Sequence, residues 1–345
     1  MVRLVRLAES LLTPHGFDRY VELLDPMLVR RDIRGQITSV RRQTSGTVTL
    51  TVRPSRAFRG FVAGQHVRVS VEIDGVWWTR CYSPASSQHR GPEFELTIKA
   101  HDDGFVSRYL LAHAHVGMML GLSQAEGVFA LPTPRPERLV LISGGSGITP
   151  VLAMARALVD ERHRGEVAFL HYARSEADVP YAAELTELGA QEGFRVSIRH
   201  TSVDGHFDVA HLEHVAPWFR DAPTFLCGPT ALMDAVRHAY EGFSEHLHTE
   251  CFTPPTPIVN GEATGRLSFT RSGVTVDNDG RTLLEQAEAA GLAPEHGCRM
   301  GICFSCTQRK VSGVVRGASG GTSGEDDEEI QLCVSVPVGD VRIDC

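Results

Sequence analysis

Four cysteines carry the plainest chemistry in this chain. Cys298, Cys303 and Cys306 share one short loop, CRMGICFSC, and Cys333 follows after twenty-six further residues in QLCVSV. Iron bridged by sulfide takes a tetrahedral set of soft thiolates, and a two-iron, two-sulfide cluster leaves four positions for protein ligands. The C-x4-C-x2-C…C spacing is that of plant-type 2Fe-2S ligation. Zinc ribbons fit these spacings poorly, so a structural zinc site is the weaker reading. Gly297 and Gly301 stand where such a loop must turn its amide N–H groups towards the cluster sulfurs.

A loop of this kind needs a scaffold. Upstream, RTLLEQAEAAG reads as a short helix: Thr282 and Glu285 have capping-box spacing, Leu283, Leu284, Ala287 and Ala290 share a face, and Gly291 stops it. GRLSFT and VTVDND alternate like two strands joined at Ser272-Gly273. The cysteine loop therefore hangs from a small α+β unit.

A second chemistry-bearing segment is LVLISGGSGITPVLAMARAL, an apolar strand running through Gly144, Gly145 and Gly147 into a helix with Pro150 in its first turn. Glycines let the backbone approach a pyrophosphate, and the helix N-terminus offers unpaired N–H groups and a positive dipole end. Taken alone, the turn also fits a plain tight connection. Dinucleotide folds place an acidic residue after the second strand to hold the ribose 2′-OH; this chain has Arg174-Ser175 there. A guanidinium beside a hydroxyl suits a 2′-phosphate, which points to NADPH, with NADH left open. Tyr181 is a candidate stacking or phosphate partner.

Patterning divides the chain into zones. Residues 1–28 carry Leu4, Leu7, Leu11 and Leu12, then Phe17, Tyr20, Val21 and Leu24, which predicts two amphipathic helices that pack on the body or dock to a partner or membrane surface. Residues 29–134 alternate as GTVTLTV, HVRVSVEI and EFELTIKA, the pattern of an antiparallel β-barrel. In 135–252 the strands RLVLIS, EVAFLHY, FRVSIRH and TFLCG precede helical stretches and EHLHTE closes the set, which predicts an α/β domain with a parallel sheet. Residues 253–263 read as a linker, and 264–345 hold the cysteine loop.

Composition narrows the function classes. A net charge of −8, with no basic stripe, excludes nucleic acid as a partner. Cys81, Cys227, Cys251 and Cys345 lack disulfide-like spacing, which predicts a reducing compartment. No apolar run of about eighteen residues occurs and no signal-peptide pattern opens the chain. A cytoplasmic protein without a transmembrane segment is expected.

Taken together, Arg80-Cys81-Tyr82-Ser83, Gly104-Phe105-Val106-Ser107, the Gly145-x-Gly147-x-x-Pro150 turn and Cys227-Gly228-Pro229 resemble, over residues 30–252, the ferredoxin–NADP reductase superfamily. With the cysteine domain added, the whole resembles the three-domain, single-chain reductases that serve oxygenases and desaturases. CRMGICFSC, EEIQLCVSVPVGDV and the domain order are similar to actinobacterial NADPH-dependent reductases of membrane stearoyl-CoA desaturases. The resemblance implies a flavin-binding barrel, a nicotinamide-binding α/β domain and a β-grasp, plant-type ferredoxin domain.

Residue by residue, it implies Arg80 on the flavin pyrophosphate, Tyr82 against the isoalloxazine, Ser83 near flavin N5, and Gly104 and Ser107 on the same pyrophosphate, which favours FAD. Gln65 and His66 fall in a strand that contacts flavin, although His66 fits a satisfied structural histidine equally well. Cys227, with Gly228 and Pro229, would lie by the nicotinamide or else be a small buried hydrophobe. Glu250 would close over the flavin edge. Tyr82, Ser83, Cys227 and Glu250 are thus the candidate catalytic residues, and the implied electron order is NADPH, FAD, 2Fe-2S cluster, external acceptor. A membrane diiron desaturase, reached by peripheral docking, is the expected acceptor. A ring-hydroxylating dioxygenase, a CoA-thioester epoxidase and a cytochrome P-450 system are alternatives, as is a redox-sensing or interaction protein with no enzymatic acceptor. The run Glu325, Asp326, Asp327, Glu328, Glu329 is either a solvated loop or a surface that steers a basic partner.

Overall fold

The computed structural model describes Met27 and residues 32–101, 104–252, 263–297, 299, 301, 304–317 and 321–345. The helices expected in 1–28, most of the 253–263 linker, and the candidate ligands Cys298 and Cys303 lie outside the described residues. The chain divides after Glu250 into two compact units. Among the described residues no helix is long and apolar enough to cross a membrane.

The first unit opens with an antiparallel sheet. Strands β1 (Ile33–Thr44), β2 (Thr47–Pro54), β3 (Val67–Ile73), β4 (Val76–Tyr82), β5 (Phe94–Lys99) and β6 (Met119–Leu122) run in the order β4-β3-β6-β1-β2-β5, an antiparallel half-barrel. Alternation dictates which face is buried: Val67, Val69, Val71 and Ile73 of β3 enter the core, and the residues between them face outwards. The helix Phe105–His113 closes this core with Val106 and Leu110.

A parallel sheet follows, built from β7 (Arg138–Gly144), β8 (Glu166–Ala173), β9 (Phe194–His200), β10 (Thr224–Cys227) and β11 (Leu247–Glu250) in the order β11-β10-β7-β8-β9. β7 and β8 are almost wholly apolar and buried, as strands covered on both faces must be. The chain progresses outwards from β7 to β9 and then resumes on the opposite side with β10. This makes β7/β10 the switch point, where an open α/β sheet leaves a crevice.

Barrel and sheet are joined by a buried polar network. Arg156, on the helix Ile148–Asp160, donates to the Ala85 carbonyl at 2.8 Å, to Glu95 at 2.8 Å and to Glu184 at 2.6 Å. The Tyr181 hydroxyl meets Thr49 at 3.2 Å, Glu95 at 3.2 Å and Thr97.

The second unit contains β12 (Arg266–Phe269), β13 (Val274–Asp277), β14 (Thr307–Arg316), β15 (Thr322–Ser323), β16 (Glu328–Gln331) and β17 (Val336–Ile343). Its sheet runs β13-β12-β17-β14-β15, with β16 also paired to β14, and the central β12/β17 pair is parallel. The helix Leu283–Ala289 lays Leu283, Leu284 and Ala287 into the core. Its capping box is formed: Glu285 N–H donates to Thr282 Oγ1 at 3.3 Å and Thr282 N–H to Glu285 Oε2 at 3.0 Å. Gly291, at φ +80°, ends it in the left-handed region.

Lys310 is fully buried in this unit. Its ammonium donates to the carbonyls of Gly313 at 2.8 Å and Ser323 at 3.2 Å, and it lies 2.7 Å from Glu328, its cross-strand partner. Lys310 holds the Glu328 carboxyl below the usual carboxylate range, with the Ser323 hydroxyl adding to the effect. A lowered folded-state value means that this contribution to stability is present above the ordinary carboxyl range and disappears as pH falls through the folded value. Lys310→Met removes the ammonium and leaves two carbonyls without this donor and the Glu328 carboxylate with the Ser323 hydroxyl alone. It is expected to cost the second unit about 2–4 kcal/mol in urea unfolding and to reduce the Glu328-linked acid dependence to the part that the Ser323 hydroxyl supports.

Candidate functional site

The switch point is shaped by glycines. The turn Gly145–Gly147 leads from β7 into the helix Ile148–Asp160, with Gly145 at φ +54° and Pro150 buried in the first helical turn. A Cβ at Gly147 would collide with the Cys227 carbonyl, and one at Gly144 would lie 2.7 Å from Leu232 and 2.8 Å from Pro229. Gly228 has the same constraint, with Leu232 at 2.9 Å and Gly144 N at 3.1 Å. The turn and the segment Cys227–Gly228–Pro229, which leads into the helix Thr230–Ala239, therefore pack backbone to backbone.

Register then lines up four polar side chains. Glu250 of β11 is opposite Cys227 of β10, Cys227 opposite Ser143 of β7, and Ser143 opposite His171 of β8. Residues directly opposite in a parallel sheet share a face, so Glu250, Cys227, Ser143 and His171 form one row across the strand ends. Ser143 Oγ and His171 Nδ1 are 2.8 Å apart in a fully buried pair. Burial, reinforced by Lys99 and His200, pushes the His171 imidazole down to about 3, so it stays neutral at ordinary pH.

The barrel meets this row at Glu250. Ser83, just past β4, donates to Glu250 Oε2 at 3.5 Å, and His66 Nδ1 lies 3.7 Å from Glu250 Oε1. Both His66 and Glu250 are buried, and burial pushes the Glu250 carboxyl above its ordinary range, partly offset by His66 and Ser83. Arg80 and Tyr82 lie on β4, half-buried; Arg80 Nη1 donates to the Thr79 carbonyl at 2.8 Å. Burial raises the Tyr82 phenol, which remains protonated. Gly104 caps the helix Phe105–His113 without a side-chain bond, and Ser107 Oγ turns back onto the Gly104 carbonyl at 3.0 Å. The first-turn N–H groups of this helix carry no side-chain cap.

Two expected nucleotide contacts look different in three dimensions. Arg174 is exposed just beyond β8, but the Ser175 hydroxyl donates to Asp178 Oδ2 at 2.7 Å. A hydroxyl has one proton to donate, and that of Ser175 is committed to Asp178. Tyr181 is not a stacking or phosphate partner. It is 5 % exposed, adopts φ +60°, and its hydroxyl is sealed among Thr49, Thr97 and Glu95 at the barrel–sheet joint. Its ring is within cation–π range of the guanidinium groups of Arg41 at 5.6 Å and Arg156 at 4.9 Å.

Lys99 was not singled out by its sequence. It ends β5 with its ammonium 3.5 Å from where a Cβ on Gly145 would stand. The only signal is period two: Lys99 shares a strand face with Thr97, which turns towards Tyr181.

In the second unit, Cys306 and Cys333 are 1 % and 4 % exposed within the core, and Leu332 N–H donates to the Cys306 carbonyl at 3.1 Å. Around them Arg299, Gly301 and Phe304 have φ values of +59°, +76° and +55°. Left-handed backbone turns amide N–H groups away from the regular direction, which is compatible with a loop that donates to an anionic cluster. Arg299 is tied back to Glu288 at 3.0 Å.

Family models match three segments of the chain. Residues 36–130 match the oxidoreductase FAD-binding domain, 141–238 the oxidoreductase NAD-binding domain, and 269–338 the 2Fe-2S iron-sulfur cluster binding domain. An NADPH oxidoreductase of Mycobacterium tuberculosis (strain ATCC 25618 / H37Rv) is 36 % identical over 347 residues, covering 98 % of this chain and 91 % of that protein. The chain belongs to the three-domain flavin/2Fe-2S reductases of the ferredoxin reductase superfamily. A glycine betaine monooxygenase reductase subunit of Pseudomonas aeruginosa (strain UCBPP-PA14) is 32 % identical, covering 82 % of this chain and 87 % of that one. The solved fold of phthalate dioxygenase reductase superposes with a TM-score of 0.64 at 24 % identity, covering 90 % of this chain and 97 % of that one.

As a member of this family the protein is an NAD(P)H-dependent flavin/iron-sulfur oxidoreductase, with FAD, a nicotinamide nucleotide and a 2Fe-2S cluster as its cofactors. The sealed environment of Tyr181 gives a direct check on its corrected role. Tyr181→Phe, which removes only the hydroxyl, is expected to lower the stability of the first unit by about 1–2 kcal/mol in denaturant titration. The KM for NADPH should change less than about twofold, because ΔΔG for a non-contacting residue is near zero.

Proposed function

We propose that this reductase takes hydride from NADPH at the β7/β10 crevice, passes electrons through FAD to the 2Fe-2S cluster, and delivers them singly to a separate terminal enzyme. The flavin module is assigned to 29–134, the nicotinamide module to 135–252 and the ferredoxin module to 264–345. The observation that carries the reading is the meeting of Ser83 from the barrel with Glu250 from the parallel sheet, Cys227 standing beside Glu250 in register. A flavin edge in contact with the first would face a nicotinamide ring in contact with the last.

Bound flavin supplies the exchange between a two-electron hydride donor and a one-electron acceptor. The chain supplies binding and orientation. Arg80 offers a guanidinium fork to the flavin pyrophosphate, and Gly104 and Ser107 present the N-terminus of the helix Phe105–His113 to it. Tyr82 lies against the ring system. Gly145, Gly147 and Pro150 shape the nucleotide turn, Gly228 and Pro229 complete its floor, and the small Cys227 side chain leaves room for the nicotinamide. Arg174 meets the 2′-phosphate. Cys298, Cys303, Cys306 and Cys333 hold the cluster.

For the acceptor, the segments around the cysteines support a membrane diiron fatty-acyl desaturase. The names of relatives such as the glycine betaine monooxygenase reductase subunit favour an oxygenase component as the second reading. Folding alters the acidic run that would face either partner. Asp327 pairs with Arg309, and Glu328 with Lys310; Glu325, Asp326 and Glu329 remain exposed.

In stopped-flow mixing with NADPH, flavin absorption should bleach before cluster absorption; cluster-first or simultaneous reduction would contradict the electron order. Arg174→Ala should lower kcat/KM for NADPH about tenfold, equivalent to about 1.4 kcal/mol, and spare NADH. Equal loss with both nucleotides would remove Arg174 from the 2′-phosphate. The triple change E325Q/D326N/E329Q should slow electron delivery to the reconstituted partner at low salt and leave reduction of a small dye intact. Reconstitution with a membrane diiron desaturase, set against an oxygenase component, decides the acceptor.

A further inference from the structure

The core-side row of β4 extends beyond the residues that the flavin ring and its pyrophosphate would use. In the pairing of β4 with β3, Val76 stands opposite Ile73, Trp78 opposite Val71, Arg80 opposite Val69 and Tyr82 opposite Val67. Directly opposite residues share a face, and all four β3 residues are buried in the barrel core. Val76, Trp78, Arg80 and Tyr82 therefore form one row on the core side of the sheet. β4 is the last strand in the sheet order, so among the described residues no further strand covers its outer edge. The row stays partly open: Trp78 is half-buried against the core, and Val76 is 53 % exposed. Trp77 belongs to the opposite face, where the Arg34 guanidinium lies over it at 5.9 Å.

The helix Phe105–His113 meets this row at Trp78. Its core stripe is Val106 and Leu110, which leaves Phe105, the first helical residue, off that stripe and 50 % exposed. The Phe105 ring has a fixed neighbour all the same. Its centroid is 5.0 Å from that of Trp78 with the planes at 61°, an edge-to-face pair. Val76, Trp78 and Phe105 thus make an apolar shelf that is half open to water, an unfavourable exposure unless something flat and weakly hydrated covers it.

Two independent routes lead from the pyrophosphate contacts to this shelf. Along β4, each step of two residues advances about 6.8 Å, so Tyr82 at the ring is followed by Arg80 at the pyrophosphate and then by Trp78. On the helix, Gly104 and Ser107 present the N-terminus to the same pyrophosphate, and Phe105 is the residue next to Gly104. We propose that Trp78 and Phe105 form the subsite for the adenosine half of FAD and select it over flavin mononucleotide (FMN). The inference rests on the reading that Arg80 and the helix N-terminus hold the flavin pyrophosphate. The isoalloxazine, the ribityl chain and the first phosphate are common to both flavins, so Tyr82, Arg80 and the helix N-terminus meet groups that both possess. Only the shelf meets a group that FMN lacks. A purine offers a flat, uncharged face on which aromatic side chains stack, whereas bound FMN would leave the shelf in water.

The test is flavin exchange in the holoprotein. Protein carrying its flavin is incubated with set ratios of FAD to FMN until its content is constant, then freed of unbound flavin, and the flavins it releases are separated by chromatography. The wild-type protein should keep FAD against excess FMN. Phe105→Ala, at an exposed first-turn position, should shift the selectivity ratio towards FMN by about tenfold, the loss expected from one stacking face. Phe105→Tyr keeps that face and should hold the wild-type ratio. Trp78→Leu should shift the ratio in the same direction, and Phe105→Ala covers the case in which Trp78→Leu fails to fold. An unchanged ratio in Phe105→Ala, or a Phe105→Tyr ratio as low as that of Phe105→Ala, overturns the subsite. Arg80→Ala separates this from failure of the underlying reading: loss of both flavins from that variant, with an unchanged ratio in Phe105→Ala, overturns the subsite alone. Full retention of both flavins by Arg80→Ala overturns the pyrophosphate placement and the subsite with it.

Discussion

The site depends on two backbone turns lying closer together than any side chain would permit. Gly144 and Gly147 on one side and Cys227 and Gly228 on the other leave no room for a Cβ, which would strike a carbonyl, Pro229 or Leu232. This contact sits at the one place in the parallel sheet where the chain reverses its direction of progress, so the crevice and the glycines arise together. Because strand register is fixed by the buried β7–β10 pair, the same contact determines what stands beside Cys227. Ser143 and Glu250 are its in-register neighbours, and Glu250 is thereby delivered to Ser83 and His66 of the barrel. A one-residue slip would turn all of them to the opposite face.

Two carboxylate environments in the same unit, one half-buried and one buried, show how partner choice sets behaviour. At the barrel–sheet joint, Glu95 and Glu184 meet Arg156, whose planar fork reaches both and also a main-chain carbonyl. A guanidinium does not give up its proton, so that joint is a fixed charge pattern suited to holding two domains in register. Glu250 faces an imidazole and a hydroxyl instead. With neither a guanidinium nor an ammonium against it among the described residues, the Glu250 carboxyl is pushed above its ordinary range by burial. The guanidinium-held carboxylates and the buried Glu250 thus sit in different parts of the interface.

Much of the fold was legible because burial follows simple periods. β3 alternates, β7 and β8 are continuous apolar runs, and the capping box and Gly291 bracket their helix as expected. The glycine turn and the Cys227-Gly228-Pro229 segment were recognisable as separate motifs, but not their mutual contact. What stayed hidden depends on residues far apart in sequence. Tyr181 looks like a nucleotide contact beside Arg174, yet its hydroxyl partners are 132 and 84 positions away on β2 and β5. Ser143 and His171 are ordinary strand residues until β7 and β8 are placed in register. Glu328 looks like one more surface acid until β16 pairs with β14 and sets it opposite Lys310.

That last pairing alters how charge is distributed near the cysteines. A run of five acids reads as uniform, but antiparallel pairing turns Glu328 inwards and the left-handed turn at Asp327 directs its carboxylate to Arg309. The remaining exposed charge is concentrated on Glu325 and Asp326 at the turn, with Glu329 across the strand from Arg309. On the cysteine side, Cys306 and Cys333 are almost fully buried while Phe304, two residues before Cys306, is 67 % exposed. An apolar side chain held outwards by a left-handed backbone, in a loop anchored through Arg299 and Glu288, is costly to keep in water. A partner that covered it would recover that cost over a small contact area, while the acids acted only at longer range. Exposed apolar surface at Phe304 and exposed charge at Glu325 and Asp326 are therefore distinct features of the second unit, the first acting at contact range and the second at a distance.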